Sequence, residues 1–249
     1  MKRSHIVLVA IVAVAALAFI TAALWPEAEL LNWGILAAVL AALVCLALFF
    51  EFESAVTSSK EIALVAMLGT ISAVLRVPFA AIPNVQPCTY IIICAGYVFG
   101  PIAGFAVGAM TALVSNFFLG HGPWTLYQMI AWGLCGLSAG YLSKLKLNTV
   151  ALIVIGVVWG YLYGLITNLW YWTAFIYPLT LKTFLVTQLN TVWFDTLHAA
   201  GNAVFLGVLG AKTIAILRRF KERFSIAIEA APYSCGGHKK GPDPKRAQP

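Results

Sequence analysis

Charge is the scarcest commodity in this 249-residue chain: 10% of residues are Asp, Glu, Lys or Arg, against about 25% in an average soluble domain. Acids are rarer still, with 9 in total, and between Glu61 and Glu222 the sole carboxylate is Asp195. With 61% apolar residues and a mean hydropathy of +0.90, a water-soluble fold is excluded, because it would leave large apolar patches facing water. The apolar runs do not alternate, which excludes a membrane barrel. The five cysteines are odd in number and contain no C-x-x-C pair, so neither a disulfide framework nor a zinc site is indicated. No G-x-x-x-x-G-K-[ST] phosphate loop occurs, which rules out ATP hydrolysis by that route.

What is present is a series of apolar stretches of the length that carries a helix across about 30 Å of hydrocarbon. Two open the chain, roughly residues 6–25 and 33–52, joined by the acidic turn Pro26-Glu27-Ala28-Glu29. They read as a retained helical hairpin (residues 1–53), although Lys2 and Arg3 ahead of an apolar run also resemble a signal peptide. A polar linker follows. Six further spans are expected at about 62–77, 89–99, 101–119, 126–143, 149–172 and a last one ending near Leu217. The fold class is thus an all-α polytopic membrane protein of eight spans, with a six-helix core over 54–223 and a basic, Pro/Gly-rich tail, 224–249, expected to be disordered.

Of the 16 Lys and Arg residues, this arrangement leaves only Arg76 and Lys182 outside and puts all the others on the cytoplasmic side. Such asymmetry sets orientation, so both termini are expected in the cytoplasm. It also accounts for the net charge of +7 without nucleic acid. The tail is expected to lie along the anionic lipid surface.

Glycines recur every four residues at Gly96, Gly100, Gly104 and Gly108, and again at Gly156, Gly160 and Gly164. Such stripes let membrane helices approach closely. Each ends in an asparagine, Asn116 and Asn168, near the outer face. Trp124, Gln128 and Trp132 share one face of the fourth core helix. Asp195, His198 and Asn202 stack along the last span at helical spacing; counting about 20 residues back from Leu217 puts His198 near the outer boundary. Polar groups persist in hydrocarbon when they face a cavity or a partner, so these residues predict an outward-facing cup closed below. Gln86 on a three-proline first outer loop, read as a candidate lid, His121 in a Gly-His-Gly turn and Tyr171 complete the candidate binding set.

Residues 60–219 resemble the substrate-binding S-components of energy-coupling factor (ECF) vitamin transporters. The motifs are Gln86-Pro87-Cys88-Thr89, Gly96-x-x-x-Gly100-Pro101-x-x-Gly104, Asn116-Phe117-Phe118, Gly122-Pro123-Trp124-Thr125-x-x-Gln128-Met129-x-x-Trp132-Gly133 and Asp195-x-x-His198-Ala199-x-Gly201-Asn202. The Gly122–Thr125 stretch is most similar to members linked to cobalamin or its precursors. The resemblance implies a non-enzymatic subunit, without cofactor or metal, in a prokaryotic cell membrane. It would capture a vitamin from outside and release it by toppling in the bilayer, driven by a transmembrane coupling (T) subunit and two ATPases. The family docks through Ala-x-x-x-Ala on the first core helix; here Ala66-x-x-x-Thr70 and Gly69-x-x-x-Ala73 stand instead. Two rival readings are a non-transporting membrane scaffold and an intramembrane metal hydrolase built on Asp195 and His198, for which the ligands are too few.

Overall fold

The computed structural model describes the backbone of residues 59–229, together with scattered helical positions between residues 6 and 50. The N-terminal hairpin as a unit, the tail beyond Glu229, Cys45 and Cys235 lie outside the described residues. Every described element is a helix: α1 Ser59–Phe79, α2 Cys88–Phe99, α3 Pro101–Leu119, α4 Trp124–Leu142, α5 Thr149–Phe175, α6 Leu181–Phe205 and α7 Ala211–Glu229, with a π-helical turn, Leu206–Gly210, joining the last two.

The breaks follow from local chemistry. Gly100 and Gly120 adopt φ of +100° and +99°, a region that side chains resist; the first turns the chain between α2 and α3 and the second ends α3. Pro101 starts α3, where its missing N–H costs nothing. Asn148 caps α5 by accepting from the Ala151 amide at 2.8 Å, and Thr180 with Thr183 forms a reciprocal capping box at the start of α6. Through the π turn, α6 and α7 make one continuous helix; residues 181–222 of it form the apolar stretch of 42 residues, about 63 Å long. The last span therefore begins well before the boundary inferred by counting back from Leu217. No Gly or Pro interrupts 181–200, so nothing stops the helix there. At its other end α7 remains helical through Glu229, six residues into the segment expected to be disordered.

Four described stretches are long and apolar enough to cross a membrane: Ile62–Phe79, Pro101–Leu119, Thr149–Phe175 and Leu181–Glu222. The shorter α2 owes its character to position. It is buried along its length except at Phe99, packed among α1, α3, α4 and α7, and an all-round apolar helix belongs in such an interior. The lipid-directed surface shows as exposed apolar rows, among them Val150, Val154, Val158, Tyr161 and Leu165 on α5.

Glycine dictates the closest crossings. A side chain on Gly96 or Gly104 would run into the Gly136 carbonyl, and one on Gly136 into Gly104, so α2 and α3 meet α4 backbone to backbone. The second stripe fits α6 residue for residue: Gly156 lies against Leu206 and Asn202, Gly160 against Ala199, and Gly164 against the Asp195 carboxylate. Both stripes thus pack helices, as the spacing predicts, except at Gly100, where the chain turns and an added side chain would meet nothing within 4 Å.

Candidate functional site

Where α1 and α3 end and α2 and α4 begin, a polar cluster fills the interior. Its centre is Arg76, buried with 6% exposure. Its Nε donates to Gln86 Oε1 at 3.2 Å and its Nη1 to Ser115 Oγ at 2.6 Å and Asn116 Oδ1 at 2.7 Å. The guanidinium lies 4.8 Å from the centre of the Trp132 ring. An arginine only donates, so Asn116 must turn its oxygen to Arg76. Its amide nitrogen then donates to Thr125 Oγ1 at 2.9 Å and Gln128 Oε1 at 2.8 Å.

A second chain of contacts runs deeper. The Trp132 indole donates to Thr89 Oγ1 at 3.0 Å, and Thr89 is 2.8 Å from His198 Nε2. The Trp132 ring packs on Tyr163, centroids 4.6 Å apart, and Tyr163 meets the His198 ring edge-on at 4.9 Å. Trp132, His198 and Asn202 are wholly buried. Among the described residues His198 Nδ1 and Asn202 Oδ1 have no hydrogen-bond partner, while Asn202 Nδ2 donates to the Gly156 carbonyl at 2.9 Å. These three residues form the inner wall of the bundle.

Beside this knot a cavity of about 1040 Å³ opens between the start of α4, the end of α5 and the first half of α6. Trp124, Gln128, Asn168, Trp170, Tyr171 and Lys182 are among its lining residues. Trp124 and Trp170 meet edge to face, 5.1 Å between centroids. Asn168 Nδ2 donates to Gln188 Oε1 at 2.9 Å and to Thr191 Oγ1 at 2.8 Å. Thr191 in turn donates to Asp195 Oδ2 at 3.1 Å, which places Asp195 one hydrogen bond behind the cavity wall.

The expected set therefore separates into layers. Trp124, Gln128, Asn168 and Tyr171 line the cavity; Gln86, Asn116 and Asp195 stand behind or beside it; Trp132, His198 and Asn202 belong to the packed interior. His121 is exposed, edge-on to Phe117 at 4.7 Å and 3.4 Å from Thr125 Oγ1. The first loop is fastened at two points, Gln86 on Arg76 and Asn84 Nδ2 on the Phe194 carbonyl at 2.9 Å. Sequence reasoning passed over Arg76, which served only as a topology marker, and also Thr89, Tyr163, Trp170 and Thr191. A signal for Arg76 was available: a cation in the last turn of an apolar helix with no acid nearby.

Of the docking pair, Gly69 and Ala73 are buried, Gly69 facing Met110 of α3. Ala66 and Thr70 are exposed beside Met67, Ile71 and Val74. Among the described residues no three His, Cys, Asp or Glu side chains gather in a way that could hold a metal, and Cys88, Cys94 and Cys135 are free and buried.

The structure is thus a bundle whose helices include four long and apolar enough to cross a bilayer, with an aromatic, amide-lined cavity at one end. The family profile of the ECF transporter substrate-specific component matches residues 60–217. The chain belongs to this family, a class of transport subunit and not of enzyme. The match starts at Lys60, beyond the N-terminal apolar pair, and covers the helices that build the cavity. Neither the curated proteins nor the solved structures gave a match.

Proposed function

We propose that this chain captures a vitamin or vitamin precursor in the cavity between α4, α5 and α6, with the cavity open to the cell exterior. The observation that carries the reading is the lining itself. Trp124 and Trp170 offer aromatic faces and edges for a flat ring, and Gln128, Asn168, Thr191 and Asn190 converge as hydrogen-bonding groups. An apolar pocket with a few placed polar groups is the usual form of a small-molecule site. Its volume, about 1040 Å³, stands near the top of the range for such pockets, about 300–1,000 Å³.

Delivery follows the division of labour of the family: a transmembrane coupling subunit and two ATPases supply the energy that this chain, lacking a phosphate loop, does not. The Lys/Arg asymmetry supports cytoplasmic termini, and the family likeness supports a prokaryotic cell membrane. The first loop acts as the lid, held by Asn84 and Gln86. The likeness of Gly122–Thr125 to cobalamin-linked members puts cobalamin and its precursors among the compounds to try.

The test is direct. Protein purified from cells grown in rich medium is extracted and its bound compound identified by mass spectrometry; that compound, added back, should raise the melting temperature. At a hundredfold excess over Kd the stabilisation is about 2.7 kcal/mol. Protein that carries no compound and shows no shift with any vitamin would overturn the capture reading and favour a scaffold.

A further inference from the structure

The charge on Arg76 is hydrogen-bonded but not neutralised. Its acceptors, Gln86, Ser115 and Asn116, are all uncharged. No ion pair to it occurs among the described residues, and the sole acid between Glu61 and Glu222, Asp195, is engaged by Thr191 against Gly164. Guanidinium carries five N–H donors, and the two on Nη2 find no partner among the described residues. A buried cation is costly unless paired, and the face of Trp132 at 4.8 Å offsets only part of that cost.

The cavity adds an independent indication. Its lining includes Lys182 and no carboxylate. Gln128, on the same wall, is held by the Asn116 amide whose oxygen Arg76 binds. Two cations thus stand at or one amide behind the wall, against the single carboxylate of Asp195. We propose that the ligand of this cavity is an organic anion, its charged end drawn to the Gln128 side by the positive field of Arg76, relayed through the Asn116 and Gln128 amides, while its ring lies at Trp124 and Trp170. The inference rests on the capture reading and narrows the substrate class.

Matched pairs differing only in charge test it: pantothenate against pantothenol, biotin against biotinamide and nicotinate against nicotinamide, together with whatever compound copurifies. Binding is measured on the full chain in lipid nanodiscs at one pH and salt concentration. In a pair that binds, the anion should bind at least tenfold more tightly. Arg76→Gln should lower that ratio severalfold, the Lys182 charge at the wall remaining, and Arg76→Lys, which keeps the charge but loses the planar fork, should retain most of it. If Arg76→Gln does not fold, the wild-type ratio and Arg76→Lys decide. Equal or tighter binding of the neutral member, or a ratio unchanged in Arg76→Gln, overturns the proposal. A neutral or cationic compound that copurifies and depends on Trp124 and Asn168 overturns the anion assignment while the capture reading stands. Absence of any bound or binding compound overturns both.

Discussion

Individual side chains divide into those that line the cavity and those that hold the bundle, and the two groups should respond differently to truncation. Trp124→Ala and Asn168→Ala remove cavity lining, so each should weaken ligand binding about tenfold or more, equivalent to about 1.4 kcal/mol; Trp124→Ala should change the melting temperature of the empty protein little, while Asn168→Ala also loses its bonds to Gln188 and Thr191 and should cost some stability as well. Asn202→Ala removes the bond to the Gly156 carbonyl at 2.9 Å in a fully buried site. It should cost about 1 kcal/mol of stability and leave affinity nearly unchanged. Titration calorimetry read beside thermal unfolding separates the two outcomes. The sequence makes these polar residues conspicuous because their background is so apolar, yet it cannot say which faces the cavity. Asn116 and Asn168 end equivalent glycine stripes, and only Asn168 lines the opening, because Arg76 draws the Asn116 amide inward. That distinction depends on a side chain forty residues away, which no local pattern encodes.

Among the helices, glycine positions differ sharply in what a methyl group would meet. At Gly136 it would strike the Gly104 backbone, whereas at Gly207 the nearest side-chain atom is Ile153 Cδ1 at 3.4 Å, ordinary contact. Gly136→Ala forces two backbones apart and should cost about 3 kcal/mol or more; Gly207→Ala should be nearly neutral, and detergent-resistance melting curves will rank them. The packing glycines are legible from spacing apart from Gly100, which is a turn between two helices, and so is most of each helix boundary. The start of the last span is not, since a length rule stops at one bilayer thickness while Thr180, with its capping box, begins the helix earlier. The first loop carries a further expectation. Asn84 has φ of +53° and donates to the Phe194 carbonyl beside the cavity. Glycine tolerates that φ, so Asn84→Gly removes the latch without adding strain. Ligand dissociation should quicken severalfold in stopped-flow or filter-binding release, with the association rate little changed; an unaltered release rate would show that the loop does not gate the cavity.

For the molecule as a whole, the proposed capture site and the proposed docking face lie on different surfaces, and this separation is open to experiment. The cavity occupies the end where α1 stops and α2 begins, while the exposed small-residue pair Ala66 and Thr70 lies on the outward face of α1. Gly69 and Ala73 face inward and are consumed by internal packing, so of the expected docking residues only Ala66 and Thr70 are exposed, and they are the pair to test as a surface for close helix approach. Enlarging it with Ala66→Leu adds bulk to a side that already faces outward beside Met67 and Ile71, so the isolated protein should melt as before and bind ligand with unchanged affinity. Accumulation of ligand by cells that also express the coupling subunit and both ATPases should fall by tenfold or more, and less of this chain should copurify with that subunit. Ala66→Gly, which keeps the surface small, should preserve uptake. If Ala66→Leu transports normally, the partner approaches by another face of the bundle. If it loses ligand binding as well, α1 is linked to the cavity through Arg76 in its last turn, and capture and docking share one element instead of two surfaces.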